Sequence, residues 1–190
     1  MKRTIILRLA ALVIISGLCT SYLMIFNLSA QDQEANIIFI PEVGNQSPDF
    51  SLEDLKGDNF TLSEVTKDKI VLLWFTNLCG GCQARINELE RIKNLYEKKG
   101  IEIVGVSVLG EDRKTVERAL QQYGITFRFL FDPKKEVTKL FGGEEYLGVC
   151  PLKNTFLIGK DRKIIYIGRY PGIEESELKN QLDKVVGGGK

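Results

Sequence analysis

The sequence predicts an α/β sandwich around a central mixed sheet, preceded by one N-terminal transmembrane helix. Three observations predict it. Residues 70–75 (I-V-L-L-W-F) and 101–108 (I-E-I-V-G-V-S-V) are strand-length, largely apolar runs, the pattern of strands buried on both faces. Helical three- and four-residue apolar spacing fills the segments around them. Residues 9–26 carry no charge at all.

That uncharged run is about 18 residues, about 27 Å as a helix, against a hydrocarbon core of roughly 30 Å. Lys2, Arg3 and Arg8 precede it, and Asp32 and Glu34 follow it. This asymmetry favours a cytoplasmic N-terminus and an exported remainder. Residues 1–30 are therefore expected to form a retained signal anchor. A cleaved signal peptide is the alternative, but its apolar region is usually shorter, and Leu28-Ser29-Ala30 is a poor cleavage site. Cys19 sits inside the run behind the bulky Leu18 and reads as a membrane-buried small hydrophobe.

Residues 31–42 read as a linker, with a short strand at 37–40. Residues 48–52 and 60–62 form two short strands around Gly57-Asp58-Asn59, and Ser63 is placed to cap a brief helical turn. After the strand at 70–75 comes a helix over 79–99. Its apolar positions are Ile86, Leu89, Ile92, Leu95 and Tyr96, and Gly100 ends it. A strand at 101–108 leads to a helix over 112–123 that ends at Gly124. A strand at 127–131 is followed by a helix ending at Phe141. Strands at 155–158 and 163–168 form a hairpin, and a helix spans 174–186. The soluble domain is thus expected over 43–186, with a frayed tail at 187–190.

Composition excludes several function classes. The 190 residues hold Lys+Arg 26 against Asp+Glu 25, a net charge of +1, which gives no footprint for nucleic acid. There is no histidine, so His-based acid–base catalysis, His-activated nucleophiles and His-ligated metals are ruled out. Four cysteines, Cys19, Cys79, Cys82 and Cys150, are too few for a disulfide scaffold in a chain of this length.

Cys79-Gly80-Gly81-Cys82 falls where the strand at 70–75 turns into an amphipathic helix. Free backbone N–H groups at a helix start stabilise a thiolate, and Cys82 lies close enough to resolve a mixed disulfide formed on Cys79. The two glycines leave the approach open. Zinc is disfavoured, because no second pair and no histidine are present and Cys150 would be only a third ligand. A buried structural disulfide is the remaining alternative. Redox exchange needs no metal and no cofactor, and outside the cytoplasm such a pair turns over.

With these pieces in place the chain resembles the extracytoplasmic thioredoxin-like proteins of the TlpA/ResA type, within the redoxin group that also includes peroxiredoxins. The matching stretches are G-N-Q-S-P-D-F-S-L, I-V-L-L-W-F-T-N-L-C-G-G-C, I-E-I-V-G-V-S-V, F-L-F-D-P and N-T-F-L-I-G-K-D-R-K-I. They span nearly the whole soluble domain in order. The resemblance implies a thioredoxin-like fold and thiol–disulfide oxidoreductase activity with Cys79 and Cys82 as the catalytic pair. It also implies protein disulfide or dithiol clients, a membrane electron donor, and often a reducing role such as cytochrome c maturation. An N-terminal membrane anchor with the domain outside the cytoplasm fits the same family.

The sequence departs from the family at three places. Lys153 stands where a cis-proline usually faces the cysteine pair, and Pro151 is two residues early. A cis bond before a non-proline costs about 3–4 kcal/mol, so a trans bond or a remodelled loop is expected at Lys153; the alternative is that Pro151 takes the cis role with a register shift. Arg85 replaces a glutamate three residues after Cys82, where it is either a cation favouring the thiolate or an exposed surface arginine; Trp74 is a second candidate for tuning the thiolate. Asn87 replaces a proline, so the helix is expected to run straighter. Cys150 lies just before the altered loop and is either a third active-site thiol or an inert buried cysteine. Two other functions compete: a peroxiredoxin-like peroxidase, since Thr76 and Cys79 form T-x-x-C although Leu72 replaces that class's proline, and a non-catalytic thioredoxin-like binding or assembly module.

Overall fold

The computed structural model describes residues 39–84, 86–108, 112–142, 153–169 and 172–187. The anchor expected over 1–30 and most of the linker lie outside the described residues. Among the described residues no helix is long and apolar enough to cross a membrane.

The chain forms a mixed sheet with helices on both faces. Strands β1 (Ser51–Glu53) and β2 (Asn59–Thr61) pair as an antiparallel hairpin. Helix α1 (Leu62–Val65) follows, then β3 (Ile70–Thr76), α2 (Gly80–Ala84), α3 (Ile86–Tyr96) and a 3-10 turn (Glu97–Lys99). Next come β4 (Ile101–Ser107), α4 (Arg113–Tyr123), β5 (Arg128–Phe131) and α5 (Glu136–Leu140). The chain closes with β6 (Thr155–Ile158), β7 (Ile164–Gly168) and α6 (Glu175–Gly187). The main sheet has the order β5-β4-β3-β6-β7. β3 and β4 pair in parallel, as do β4 and β5, while β6 runs antiparallel to β3 and β7 antiparallel to β6.

The central strands form as the sequence predicts because both faces of the sheet are covered. One face packs Leu72, Trp74, Ile103 and Leu157 against Ile86, Leu89 and Ile92 of α3, Val116 of α4, and Leu178 and Leu182 of α6. The other packs Val71, Leu73, Phe75 and Phe156 against Phe50, Phe60, Leu62 and Phe141. Gly100 and Gly124, in the left-handed region at φ 84° and 60°, end the turn after α3 and the helix α4.

Four local expectations need correction. Leu95 is half exposed while Ile86, Leu89, Ile92 and Tyr96 are buried. Each three-residue step falls about 60° short of a full helical circle, and a run of such steps drifts off the buried face. Ser63 does not cap α1; its own N–H is taken by Asp49 Oδ1 at 2.9 Å, from fourteen residues upstream. Residues 48–50 are irregular, and pairing starts only at Ser51. Phe39 and Ile40 are irregular rather than strand, while residues 37 and 38 lie outside the described residues.

Two predictions follow from this packing. A Cβ built on Gly105 would stand 2.4 Å from Phe129 Cδ2 on the neighbouring strand β5, and that ring is itself buried. Gly105→Ala is expected to destabilise the fold by about 1–3 kcal/mol, seen as a lower urea midpoint at unchanged slope. The second concerns Tyr96, whose hydroxyl donates to Asp183 Oδ1 at 2.7 Å across α3 and α6. Burial, with the Asp183 hydrogen bond and charge, pushes the phenol from 10.0 up to about 12. A raised folded-state pKa means stability that is full below the unfolded value and lost as pH rises through the folded one. Wild type should therefore weaken between about pH 10 and 12. Tyr96→Phe should lose less stability over that range, since Tyr166, also raised by burial and Glu177, keeps its own share, while costing about 1 kcal/mol near pH 7, both read from urea titrations at stepped pH.

Candidate active site

β3 is the middle strand of the sheet and delivers its last residue, Thr76, to the sheet's C-terminal end. There the apolar run gives way to Asn77, Leu78 and Cys79, and α2 begins at Gly80. Cys79 is exposed and Cys82 is wholly buried. Their sulfurs stand 3.4 Å apart, so the pair is a dithiol in close contact.

The turn that presents Cys79 is fixed by side chains. Thr76 Oγ1 accepts from Leu78 N–H at 3.0 Å, and Asn77 Oδ1 accepts from Cys79 N–H at 3.1 Å. Gln83 Nε2 donates to the Leu78 carbonyl at 3.1 Å, while the Gln83 backbone N–H donates to the Cys79 carbonyl at 3.0 Å. Leu78 adopts φ 53°, a left-handed conformation that a leucine seldom takes, with its side chain buried in the core cluster that also holds Trp74 and Cys82. Gly80 and Gly81 are exposed, and among the described residues a Cβ at Gly80 would meet nothing within 4 Å.

β6 begins beside this turn. The Phe75 N–H donates to the Asn154 carbonyl at 2.8 Å, and the Asn154 N–H donates to the Gly168 carbonyl at 3.0 Å. Asn154 is fully buried, whereas Lys153, one residue earlier, is exposed at the same end of the sheet as the cysteine pair. Trp74 is fully buried on β3, with its ring edge-on to Phe127 at 6.3 Å.

Of the residues singled out from sequence, Trp74, Cys79, Cys82 and Lys153 gather at this end of the sheet. Arg85, Cys150 and Pro151 lie outside the described residues, as does Leu152, with which Lys153 forms its preceding peptide bond. The helix path expected to straighten at Asn87 runs through residue 85 and is likewise not described there. Sequence reading missed Asn77 and Gln83 and any scaffolding role for Thr76. A Thr-Asn pair just after a strand is a recognisable signal, since both side chains bond nearby backbone in turns. Gln83 carries no such signal.

A groove of ≈ 560 Å³ lies at the opposite end of the strands, lined by Lys69, Lys93, Glu102, Thr126 and Arg128. Its charges pair with one another, as in Lys69–Glu102 at 2.7 Å, and it is remote from the thiols. Among the described residues no group of three or more Cys, Asp or Glu side chains is placed to hold a metal.

An exposed thiol backed by a buried one, at the end of the central strand of a thioredoxin-like sheet, is the arrangement of thioredoxin-like oxidoreductases. The chain belongs to the AhpC/TSA family, whose model matches residues 43–167. Within it the protein is a thiol–disulfide oxidoreductase of the ResA type. It is 32% identical over 145 residues to thiol-disulfide oxidoreductase ResA of Geobacillus thermodenitrificans, covering 75% of this chain and 78% of the relative. Two solved structures share the fold. One is assigned as thiol:disulfide interchange protein DsbE from Chlorobium tepidum, with TM-score 0.65 and 24% identity over 77% of this chain and 99% of that one. The other is peroxidoxin BcpB from Mycobacterium tuberculosis, with TM-score 0.64 and 21% identity over 79% and 99%. At such identities both report the fold alone, and a peroxidoxin among them shows that the fold does not by itself choose the chemistry.

Proposed function

We propose that this oxidoreductase exchanges disulfides with extracytoplasmic protein clients, with Cys79 as the attacking thiol and Cys82 as the resolving thiol. The observation that carries the reading is the asymmetry of the pair. A client disulfide reaches the exposed Cys79 sulfur, while the buried Cys82 sulfur reaches only what is bonded to Cys79, 3.4 Å away. The Cys79 thiolate displaces one client sulfur and forms a mixed disulfide. Cys82 then attacks the Cys79 sulfur, releasing the second client thiolate and leaving a Cys79–Cys82 disulfide. A membrane electron donor reduces that disulfide again.

The rest of the proposal follows the sequence. Residues 1–30 anchor the chain, 31–42 link, and 43–186 form the domain outside the cytoplasm, with 187–190 as tail. Pro151 and Lys153 belong to the loop that docks clients, Cys150 is either a third active-site thiol or an inert cysteine, and Arg85 and Trp74 tune the thiolate. A reducing role in cytochrome c maturation is the specific form the resemblance implies. The T-x-x-C of peroxidases is present, yet a second thiol already stands beside Cys79, which supports disulfide exchange over peroxide reduction.

Cys82→Ser in cells should freeze the mixed disulfide on Cys79 and capture clients as adducts released by dithiothreitol. Recovery of the variant with no adduct, at wild-type abundance, contradicts the reading.

A further inference from the structure

We infer that Gln83 and Thr76 are positioning residues for thiol exchange, holding Leu78 in its left-handed conformation and thereby keeping the Cys79 sulfur against Cys82. The inference rests on the proposed exchange at this pair. Three features carry it. Leu78 has φ 53° although it is not glycine, so the conformation must be imposed from outside the residue. Its N–H is held by Thr76 Oγ1 at 3.0 Å, and Thr76 is immobilised, fully buried, in β3 opposite Ser107 of β4. Gln83 engages the carbonyls on both sides of the Cys79 α-carbon: Leu78 O through its side-chain amide at 3.1 Å, and Cys79 O through its backbone N–H at 3.0 Å. With Asn77 Oδ1 on the Cys79 N–H, the peptide group that carries Cys79 is bonded at both ends.

The consequence is chemical. A backbone fixed this way leaves the dithiol already close to the geometry of the disulfide, so little freedom is lost when the bond forms. Without the clamp the turn relaxes to negative φ, the Cys79 sulfur moves more freely, and the reduced state gains entropy that the disulfide must surrender. The Cys79–Cys82 bond then forms less readily, and Cys82 resolves a mixed disulfide more slowly.

The test is the equilibrium of the full chain with glutathione. One oxidised glutathione accepts two electrons from the pair; two glutathione thiols leave and one Cys79–Cys82 disulfide forms. Gln83→Ala should lower that equilibrium constant about tenfold, the scale of one lost hydrogen bond, which makes the potential about 30 mV less negative. Gln83→Met, which keeps the side-chain length and neutrality but has no donor for the Leu78 carbonyl, should shift as Gln83→Ala does. Thr76→Val should shift as Gln83→Ala does, and Thr76→Ser should not. Near-UV circular dichroism reports the fold of each variant, and if Gln83→Ala is unfolded the Thr76 pair decides. A wild-type constant in the alanine, methionine and valine variants overturns the positioning role, and so does a shift in Thr76→Ser equal to that in Thr76→Val. If wild type itself shows no reversible pair, the proposed exchange fails, a result separate from an active wild type with unshifted variants.

Discussion

Cys79→Ser is expected to abolish reduction of a protein disulfide such as that of insulin, a loss on the order of 10³-fold or more, because no covalent route remains. Cys82→Ser should lose multiple turnover to a similar extent by a different path: Cys79 is still exposed and still attacks, and the adduct accumulates. The two variants should therefore separate in the product rather than in the rate. Mass spectrometry should find a client or glutathione adduct on Cys79 in Cys82→Ser and none on Cys82 in Cys79→Ser, since Cys82 is wholly buried. Peroxide consumption that survives Cys82→Ser would instead mark the peroxidase alternative.

The largest expected loss of stability is at Trp74. This side chain is fully buried on the middle strand, packs edge-on to Phe127 at 6.3 Å, and belongs to the core cluster that includes Leu78 and Cys82. Trp74→Ala should cost about 3–5 kcal/mol, through lost burial and a cavity that the flanking strands cannot close. Because the chain has one tryptophan, unfolding has to be followed by far-UV circular dichroism. Trp74→Phe, which keeps a ring in the site, should recover most of that loss. If alanine costs under about 1 kcal/mol, Trp74 is not the packing centre its burial implies.

The sheet was readable because its middle strands are buried on both faces, which turns β3 and β4 into nearly unbroken apolar runs. Where a feature depends on distant partners, sequence was silent or wrong. The hydrogen bond to the Ser63 N–H at the start of α1 comes from Asp49, in another segment. Leu95 matches the apolar spacing of α3, yet lies off the buried face by the angle that successive three-residue steps accumulate. The cysteine pair was legible from its spacing and its place after a buried strand. The turn that aims Cys79 was not, since the left-handed Leu78 has no signature of its own and is held there by Thr76 and Gln83.

The central claim is that Cys79 and Cys82 form one reversible two-electron couple. Its most direct test is alkylation and disulfide mapping of the full chain equilibrated across a series of glutathione buffers. The account predicts that both thiols become protected together in one transition, joined to each other, and return to alkylatable thiols on reduction. A bond from Cys79 to Cys150 in place of Cys82, or oxidation of Cys79 with Cys82 left as a thiol, would contradict it.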